Sequence, residues 1–513
     1  MTSRVTLFRD TYLDSVVQLS GTRAMRQVEG VKWASAAMAT EANLDTLSGE
    51  GFDAGQWDGA GANDLFIAVR GASDEVVDEA TSAGEQAMFS ERASGGATEE
   101  QPARTLREAV GRAPDSSVAV VSVPGDYAAL AAHQALTEGL HVLLFSDNVP
   151  LEAEIELKRR AQQLGRFVMG PGAGTAMLGG TCLGFANVTT PGPVGVIAAA
   201  GTGAQEAMSL LDRWGVGVSH VIGLGGRDLS AEVDGVMARS ALTALATDQA
   251  TEVVLLVSKP PDAEVAREVL KLAAGTRVVA ALIGLEEGSI AVPTGVTLTG
   301  TLETGVLAAL EAVGRRAPDP AAGLREEVER AAADLPERRT LVRGLFSGGT
   351  LCYESLVILA RVLGDVYSNT PLDHALEVPA PDGSHVCLDL GEEEYTKGRP
   401  HPMIDPEARI ELLREQGADP DVAAIILDVV LGYGAHDDPA AELAPVCAEI
   451  TAHGGPKIIT YVLGTEGDPQ GFDAQRRAFT DAGCLVTETA ARASLAAAAI
   501  ALRRPELAET ALQ

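Results

Sequence analysis

Gly201-Thr202-Gly203, with Glu206 just beyond, is the stretch of this 513-residue chain whose residue types and spacing best suit chemistry. An apolar run, Val194 to Ala199, precedes it, and Ala204, Ala207, Met208, Leu211 and Trp214 follow at helical spacing, so the reading is strand, tight turn, helix. Such a turn points backbone N–H groups and the positive helix end at one spot, which suits a phosphate or a carboxylate. Glu206 is expected in the first helical turn, where the dipole favours a carboxylate that nevertheless competes with a bound anion. A proton or cation shared between them reconciles the two. The turn is neither a Walker loop, since no Gly-Lys-Ser/Thr follows, nor a dinucleotide fingerprint, since the third glycine is missing. The plainer alternative is that small residues only let this helix pack on its sheet.

Other candidates lie at the same kind of place, the carboxyl end of a strand. Lys259 follows the apolar run Val253 to Ser258 and could pair with phosphate, although loop lysines are most often solvated. Gly223, Gly225 and Gly226, followed by Arg227, offer a flexible loop with a fixed cation suited to planar oxyanions. Gly349-Thr350, with Glu354 four positions after the threonine, echoes Gly201 to Glu206 and opens another apolar-periodic helix. Gly170 and Pro171 form a loop at a sheet edge where open α/β sheets bind ligands, or a plain turn. His401, fixed between two prolines, and Arg399 beside it are candidates for substrate binding or acid/base work. His436 and Cys352 are weaker, a capping imidazole and an inert thiol being the alternatives. Glu41 and Asn43 could edge a site or simply form a surface turn.

Stepping outward to the elements that hold these residues, positions 1–90 alternate as strand, helix, strand, strand, helix. That pattern predicts a small ferredoxin-like α+β module. Residues 91–116 turn polar and rich in small side chains, as a linker does. From 117 to 190, short apolar strands alternate with amphipathic helices, predicting a Rossmann-like parallel sheet. The alternation repeats in 191–315 and again in 340–513, so two flavodoxin-like domains, divergent copies of one another, are expected. The fold class is α/β.

A net charge of −33 argues against nucleic acid or an anionic membrane as partner. Five cysteines stand singly, without metal-ligand spacing, as reduced cytoplasmic thiols do, so no metal site is expected. No apolar run is long enough to span a bilayer, and the amino terminus lacks a signal-peptide core, so a soluble cytoplasmic protein is expected.

The segments GPG at 170–172, PGPVGVIAAAGTGAQEA, VIGLGGRDLS and TEVVLLVSKPP resemble the alpha subunit of succinyl-CoA synthetase and its NDP-forming acyl-CoA synthetase relatives. VAAIILDVVLGYGAHDDPAAEL is similar to the phosphate-facing strand and helix of the synthetase beta subunit, and GRPHPMID resembles a run of the FdrA family. The resemblance implies a CoA-binding-type Rossmann domain at 117–190 and two succinyl-CoA-synthetase-type flavodoxin-like domains. It also implies two helix ends facing each other across a phosphate. By position these would be Gly201, Thr202, Gly203 and Gly432, Tyr433, Gly434, with Glu206 the glutamate beside the phosphorylated group and His401 a second catalytic candidate. Lys259, Arg399, Gly349 and Thr350 would bind substrate, and Gly170 and Pro171 a cofactor, CoA or a nucleotide with Mg. Two departures stand out: residues 277–305 hold no histidine to carry a phosphoryl group, and the glycine-rich CoA loop that opens the synthetase alpha subunit is missing.

The leading expectation is therefore an FdrA-like subunit of a carbamoyl- or acyl-transferring enzyme, an oxamate-type carbamoyltransferase working with carbamoyl phosphate. Its alternatives are an NDP-forming acyl-CoA synthetase component and a non-catalytic assembly or sensor subunit. The expected partners are a small-molecule carboxylate, an acyl or carbamoyl phosphate, and other protein subunits or further copies of this chain.

Overall fold

The computed structural model describes residues 2–13, 15–89, 103–273, 275–285, 288, 290–396 and 400–512. The chain divides into two compact units, 1–102 with 397–400, and 103–396 with 401–513. No helix among the described residues is long and apolar enough to cross a membrane.

The first unit runs β1 (Thr2–Phe8), α1 (Ser15–Arg26), β2 (Val31–Met38), α2 (Glu41–Gly49), β3 (Leu65–Gly71), α3 (Asp74–Phe89). Its strands pair antiparallel in the order β1-β3-β2. Period-two alternation splits the central strand between two small cores. Leu65, Ile67 and Val69 pack with Met25, Val77 and Ala80 on one face, while Phe66 and Ala68 meet Leu47, Phe52 and Trp57 on the other. The ferredoxin-like reading holds as three strands and two principal helices. Asn43 serves the start of α2: its N–H donates to Thr40 Oγ1 and its Nδ2 to the Met38 carbonyl.

The second unit opens with α4 (Leu106–Arg112), inside the stretch expected to be linker; 91–102 of that stretch lie outside the described residues. Next come β4 (Val118–Val121), α5 (Gly125–Thr137), β5 (His141–Leu144), α6 (Leu151–Gln163) and β6 (Val168–Met169), a three-stranded parallel sheet in the order β4-β5-β6. A hairpin, β7 (Thr175–Leu178) and β8 (Thr181–Gly184), leads into β9 (Pro191–Ala198), α7 (Gly201–Arg213), β10 (Val218–Gly223), α8 (Val236–Thr247), β11 (Val253–Ser258), α9 (Ala263–Leu270), β12 (Arg277–Leu282), β13 (Val296–Thr299) and α10 (Leu302–Ala312). The sheet order is β13-β12-β11-β9-β10-β7-β8.

After α11 (Leu324–Ala333) the pattern recurs as β14 (Leu341–Phe346), α12 (Gly349–Leu363), β15 (Val366–Tyr367), β16 (His385–Asp389), α13 (Glu393–Thr396), α14 (Glu407–Ala418), β17 (Val422–Val430), α15 (Pro439–Ala452), β18 (Lys457–Leu463), α16 (Phe472–Asp481), β19 (Leu485–Thr487) and α17 (Ala490–Leu502). Its order is β15-β16-β14-β17-β18-β19. Counted from β9 and from β14, with the short β15 at the edge set aside, each sheet places the second strand on one side and the third to fifth on the other, the flavodoxin-like arrangement.

The two copies share a core. Val196, Val257, Ala207, Leu211 and Val306 of the first and Leu351, Leu356, Ile426, Ile459 and Ala497 of the second belong to one apolar cluster, so α7, α10, α12 and α17 form a common layer between the sheets. The outer faces are covered separately. One sheet is backed by α8, α9 and the three-stranded sheet, the other by α14, α15 and α16.

Candidate functional site

In both copies the first strand passes into its helix through a very short connection: Ala198 to Gly201 in one, Phe346 to Gly349 in the other. Neither helix has a side-chain cap, and the first N–H groups of an α-helix lack intrahelical acceptors. The two amino ends meet. A methyl group built on Gly203 would lie 2.9 Å from Thr350 Cγ2, and one on Gly348 would lie 2.9 Å from Thr202 Cγ2. The Thr350 N–H donates to Thr202 Oγ1 at 3.3 Å. Any side chain at position 203 or 348 would push the ends apart, so glycine here sets their separation. Gly201, Thr202 and Gly349 are partly exposed, leaving the junction open to a solute.

Charged groups ring this junction. Lys259, half-buried at the end of β11, sets its ammonium 5.7 Å above the Tyr353 ring, and a methyl on Gly349 would stand 3.6 Å from Nζ. Asp389 ends β16, with Oδ2 against the Gly349 backbone and Oδ1 accepting the Gly391 N–H at 3.0 Å. Burial raises its carboxyl to about 6, partly offset by Lys259 and reinforced by Glu392 and Asp428. Near neutrality it can therefore gain or lose a proton. Asp428, on β17, accepts the Ser347 and Gly348 N–H groups at 2.7 Å each and the Ser347 hydroxyl. Arg409, itself buried, pairs with it at 3.1 Å. His401 stands on the same side: its Nδ1 accepts the Met403 N–H, so Nε2 carries the hydrogen, and Nε2 points toward Gly391. Burial lowers its imidazole to about 4, against the pull of Asp428, so it is neutral at physiological pH. The ensemble can hold an anion at the helix ends, balance it with one ammonium, and exchange a proton at Asp389.

Of the residues singled out from the sequence, Gly201, Thr202, Gly203, Gly349, Thr350 and Lys259 come together here. Gly432, Tyr433 and Gly434 do not form the opposing helix end, and the reason is the connection's length. A turn from Leu431 to Asp438 separates β17 from α15, whose amino end is already capped by Asp438 accepting the Ala441 N–H. The Gly432 and Tyr433 N–H groups donate instead to Gln470 Oε1 and the Ala186 carbonyl. The opposing end is Gly349, the echo of Gly201.

Glu206 also departs from expectation. It lies in the second turn of α7, fully buried, where Oε1 accepts the Ala490 N–H at 3.4 Å. Arg227 is spent on Glu154 and the Val149 carbonyl, beside the buried Lys158, which bonds Glu154 and Asp228. Burial raises the Cys352 thiol well above its ordinary value, so it is inert. Arg399 lies outside the described residues.

Gly170 and Pro171 are buried; a methyl on Gly170 would collide with the Leu144 carbonyl, and one on Gly225 would meet the Pro171 carbonyl at 2.6 Å. These residues serve close backbone packing and offer no open cradle for CoA, so no CoA contact is assigned to them. Among the described residues, no group of three or more His, Cys, Asp or Glu is placed to hold a metal ion. Asp389 and Asp428 escaped the sequence reading because a lone aspartate at a strand end carries no periodic signal; the repeated Gly-Thr-x-x-x-Glu run was the available pointer to α12.

Residues 345–500 match a family model described as CoA-ligase. Residues 1–104 match one described as AllF, heavy metal-associated domain. That module holds neither cysteine nor histidine, so it lacks the thiolate and imidazole ligands that soft metals select, and no metal step is assigned to it. The ADP-forming succinate–CoA ligase subunit alpha 2 of Archaeoglobus fulgidus is 31% identical over 173 residues, 33% of this chain and 58% of the subunit, little more than half of that relative. A solved dinucleotide-forming acetyl-coenzyme A synthetase 1 of Ca. Korarchaeum cryptofilum, in complex with phosphate and ADP, is 15% identical, covering 77% of this chain and 83% of its own at a TM-score of 0.27. The homology is thus to CoA ligases, and carbamoyl transfer finds no support among these relatives. YahF, an uncharacterized protein of Escherichia coli strain K12, is 36% identical over 507 residues, 97% of this chain and 98% of YahF, and the chain belongs to the family of that protein.

Proposed function

We propose that this chain is a component of an NDP-forming acyl-CoA synthetase, an acid–thiol ligase, in which the amino ends of α7 and α12 hold the phosphoryl group of an acyl phosphate. The observation that carries this reading is the mutual approach of Gly203 to Thr350 and Gly348 to Thr202, two helix ends whose N-cap residues supply no side-chain cap, meeting where Gly201, Thr202 and Gly349 are partly exposed. Preorganised N–H donors stabilise charge that develops on a transferring group. Lys259 supplies the balancing cation, and Asp389 the proton exchanged with the acyl acceptor. CoA ligase homology supports the acyl-CoA assignment.

The FdrA likeness and carbamoyl phosphate form a second reading, favoured by the lack of any histidine in residues 277–305. The two separate in one experiment. The full-length chain is first assayed for binding of inorganic phosphate, then supplied with ATP, Mg, CoA and a dicarboxylate, or with carbamoyl phosphate and oxamate. Saturable phosphate binding, weakened about tenfold or more by Gly203→Val, with acyl-CoA as product is the expected outcome. Oxalurate as product would favour the second reading. Phosphate binding untouched by Gly203→Val would overturn both.

A further inference from the structure

Behind the meeting helix ends the two copies exchange a second, reciprocal contact. Glu206, on α7 of the first copy, accepts through Oε1 from the N–H of Ala490, the first residue of α17 in the second. Glu354, on α12 of the second copy, accepts through Oε1 from the N–H of Leu302, the first residue of α10 in the first, at 2.6 Å. The settings match in detail. Each glutamate is five positions after the opening glycine of its helix, each is fully buried, and each receiving helix follows the fifth strand and begins at a threonine cap, Thr301 or Thr489. In each carboxyl group the second oxygen, Oε2, is buried without a protein partner.

We propose that Glu206 and Glu354 are a reciprocal pair of positioning residues, each reaching from one flavodoxin-like copy to the fifth-strand helix of the other and so fixing the register in which the amino ends of α7 and α12 meet. The pair acts in its neutral form. A carboxylate here would have one N–H donor and no cation of its own, because the nearby guanidinium of Arg492 is committed to Glu303 at 2.6 Å and that of Arg213 to Glu488. The remaining neighbours are the Tyr461 hydroxyl from β18, which is also unpartnered, and Glu303, whose Oε2 takes the Thr489 hydroxyl. Burial followed by the charge of Glu354 raises Glu206 well above its ordinary value, against the Ala490 N–H. Burial, reinforced by Glu303 and opposed by the Leu302 N–H, raises Glu354 to about 8. A group raised in this way contributes fully below its unfolded value, near 4.5, and the contribution is lost as pH rises through about 8. The clamp itself does not depend on which anion occupies the helix ends; its link to binding rests on the anion reading above.

The test uses the full chain, Glu354→Gln, Glu206→Gln and Glu354→Ala. Sulfate is the probe because it stays a dianion across the range. Thermal midpoint and sulfate affinity are followed from pH 6 to 9.5. For the native chain the midpoint should already be falling at pH 6 and level off above about pH 8, while affinity should fall as pH passes about 8, by about fivefold or more. Glu354→Gln keeps an acceptor for Leu302 without a titrating proton, so both curves should flatten. Glu354→Ala should be weak throughout, and Glu206→Gln, which leaves Glu354 to titrate, should keep the fall through about pH 8. A Glu354→Gln curve that falls in parallel with the native one, or a Glu354→Ala chain as stable and as tightly binding as native, overturns the proposal. A flattened midpoint in Glu354→Gln with no sulfate binding by any chain supports the clamp and counts against the anion reading alone.

Discussion

At the amino end of α7 the turn from Ala200 to Gly203 donates to no carboxylate among the described residues, whereas the amino end of α12 has two carboxylates against it. Asp428 occupies the N–H groups of Ser347 and Gly348, and Asp389 lies against Gly349. The copies share strand order and the Gly-Thr-x-x-x-Glu run, so the difference lies in what their other strands bring to the rim. The first copy contributes bare helix amides and, from β11, the ammonium of Lys259. The second contributes an arginine-backed carboxylate from β17 and a titrating carboxyl from β16. The repeated strand order sets two similar dipole ends face to face, and the differing strand termini suit one end to receiving negative charge and the other to holding protons. A symmetric pair of ends would bind an anion equally from both sides and would have no group to move a proton.

The largest effect should come from breaking the built-in anion of the second copy. Asp428→Ala leaves the Arg409 guanidinium buried without its carboxylate and two N–H groups without acceptors. Loss of one partner of a buried, hydrogen-bonded pair costs about 3–5 kcal/mol. Removing the hydroxyl acceptor that the first copy's end offers to Thr350, Thr202→Ala, should cost about 1 kcal/mol. Urea unfolding at neutral pH compares the two directly. Equal costs would mean that the ends are not differently armed.

Asp389→Asn sharpens the same contrast through pH. Its carboxyl is raised in the folded chain from 3.8 to about 6, so it favours folding fully below 3.8 and that contribution is lost as pH rises through about 6. At one pKa unit per 1.36 kcal/mol, the ionised group should cost about 2–3 kcal/mol at pH 8. The asparagine variant should therefore match the native chain near pH 4 and exceed it in unfolding free energy at pH 8. A difference independent of pH would show that Asp389 is not the titrating group at this end.

How much of this was legible in the chain depends on periodicity. The run from Val194 to Trp214 announced its strand, turn and helix because apolar residues switch from continuous to helical spacing there. The central sheet strands were legible for the same reason. α17 was not: AARASLAAAAIAL is alanine-rich and buried from Ala490 to Ala501, so it has no polar face to set a period. The hairpin β7–β8 and the short β13 gave too few alternations to register. The site was half legible. The helix end at Gly201 was found on its own residues, and its true partner at Gly349 was visible as a repeated run. The resemblance placed the partner at Gly432 by position, where the connection to the next helix is too long to form the facing end. The links after Ala198 and after Phe346 are short enough to set helix amides at the sheet edge, whereas the longer turn from Leu431 to Asp438 is not, and that contrast separates Gly349 from Gly432.

The smallest effect expected is on the first copy's contribution. Lys259→Met keeps the apolar stem beside Tyr353 and removes only the ammonium, so folding should change little, as for other partly exposed lysines. If the α7 end is the receiving one, this ammonium is the cation beside it, and phosphate affinity should drop about tenfold, about 1.4 kcal/mol. The loss should shrink as salt rises, because a half-exposed charge is screened over about 8 Å at physiological ionic strength. Asp389→Asn alters the same junction from the other side: with the nearby carboxylate gone, phosphate affinity at pH 8 should rise, and the double variant should fall between the two singles. Should Lys259→Met bind phosphate as the native chain does while Asp389→Asn still changes affinity, the anion would be held from the second copy, and the roles assigned to the two ends would have to be exchanged.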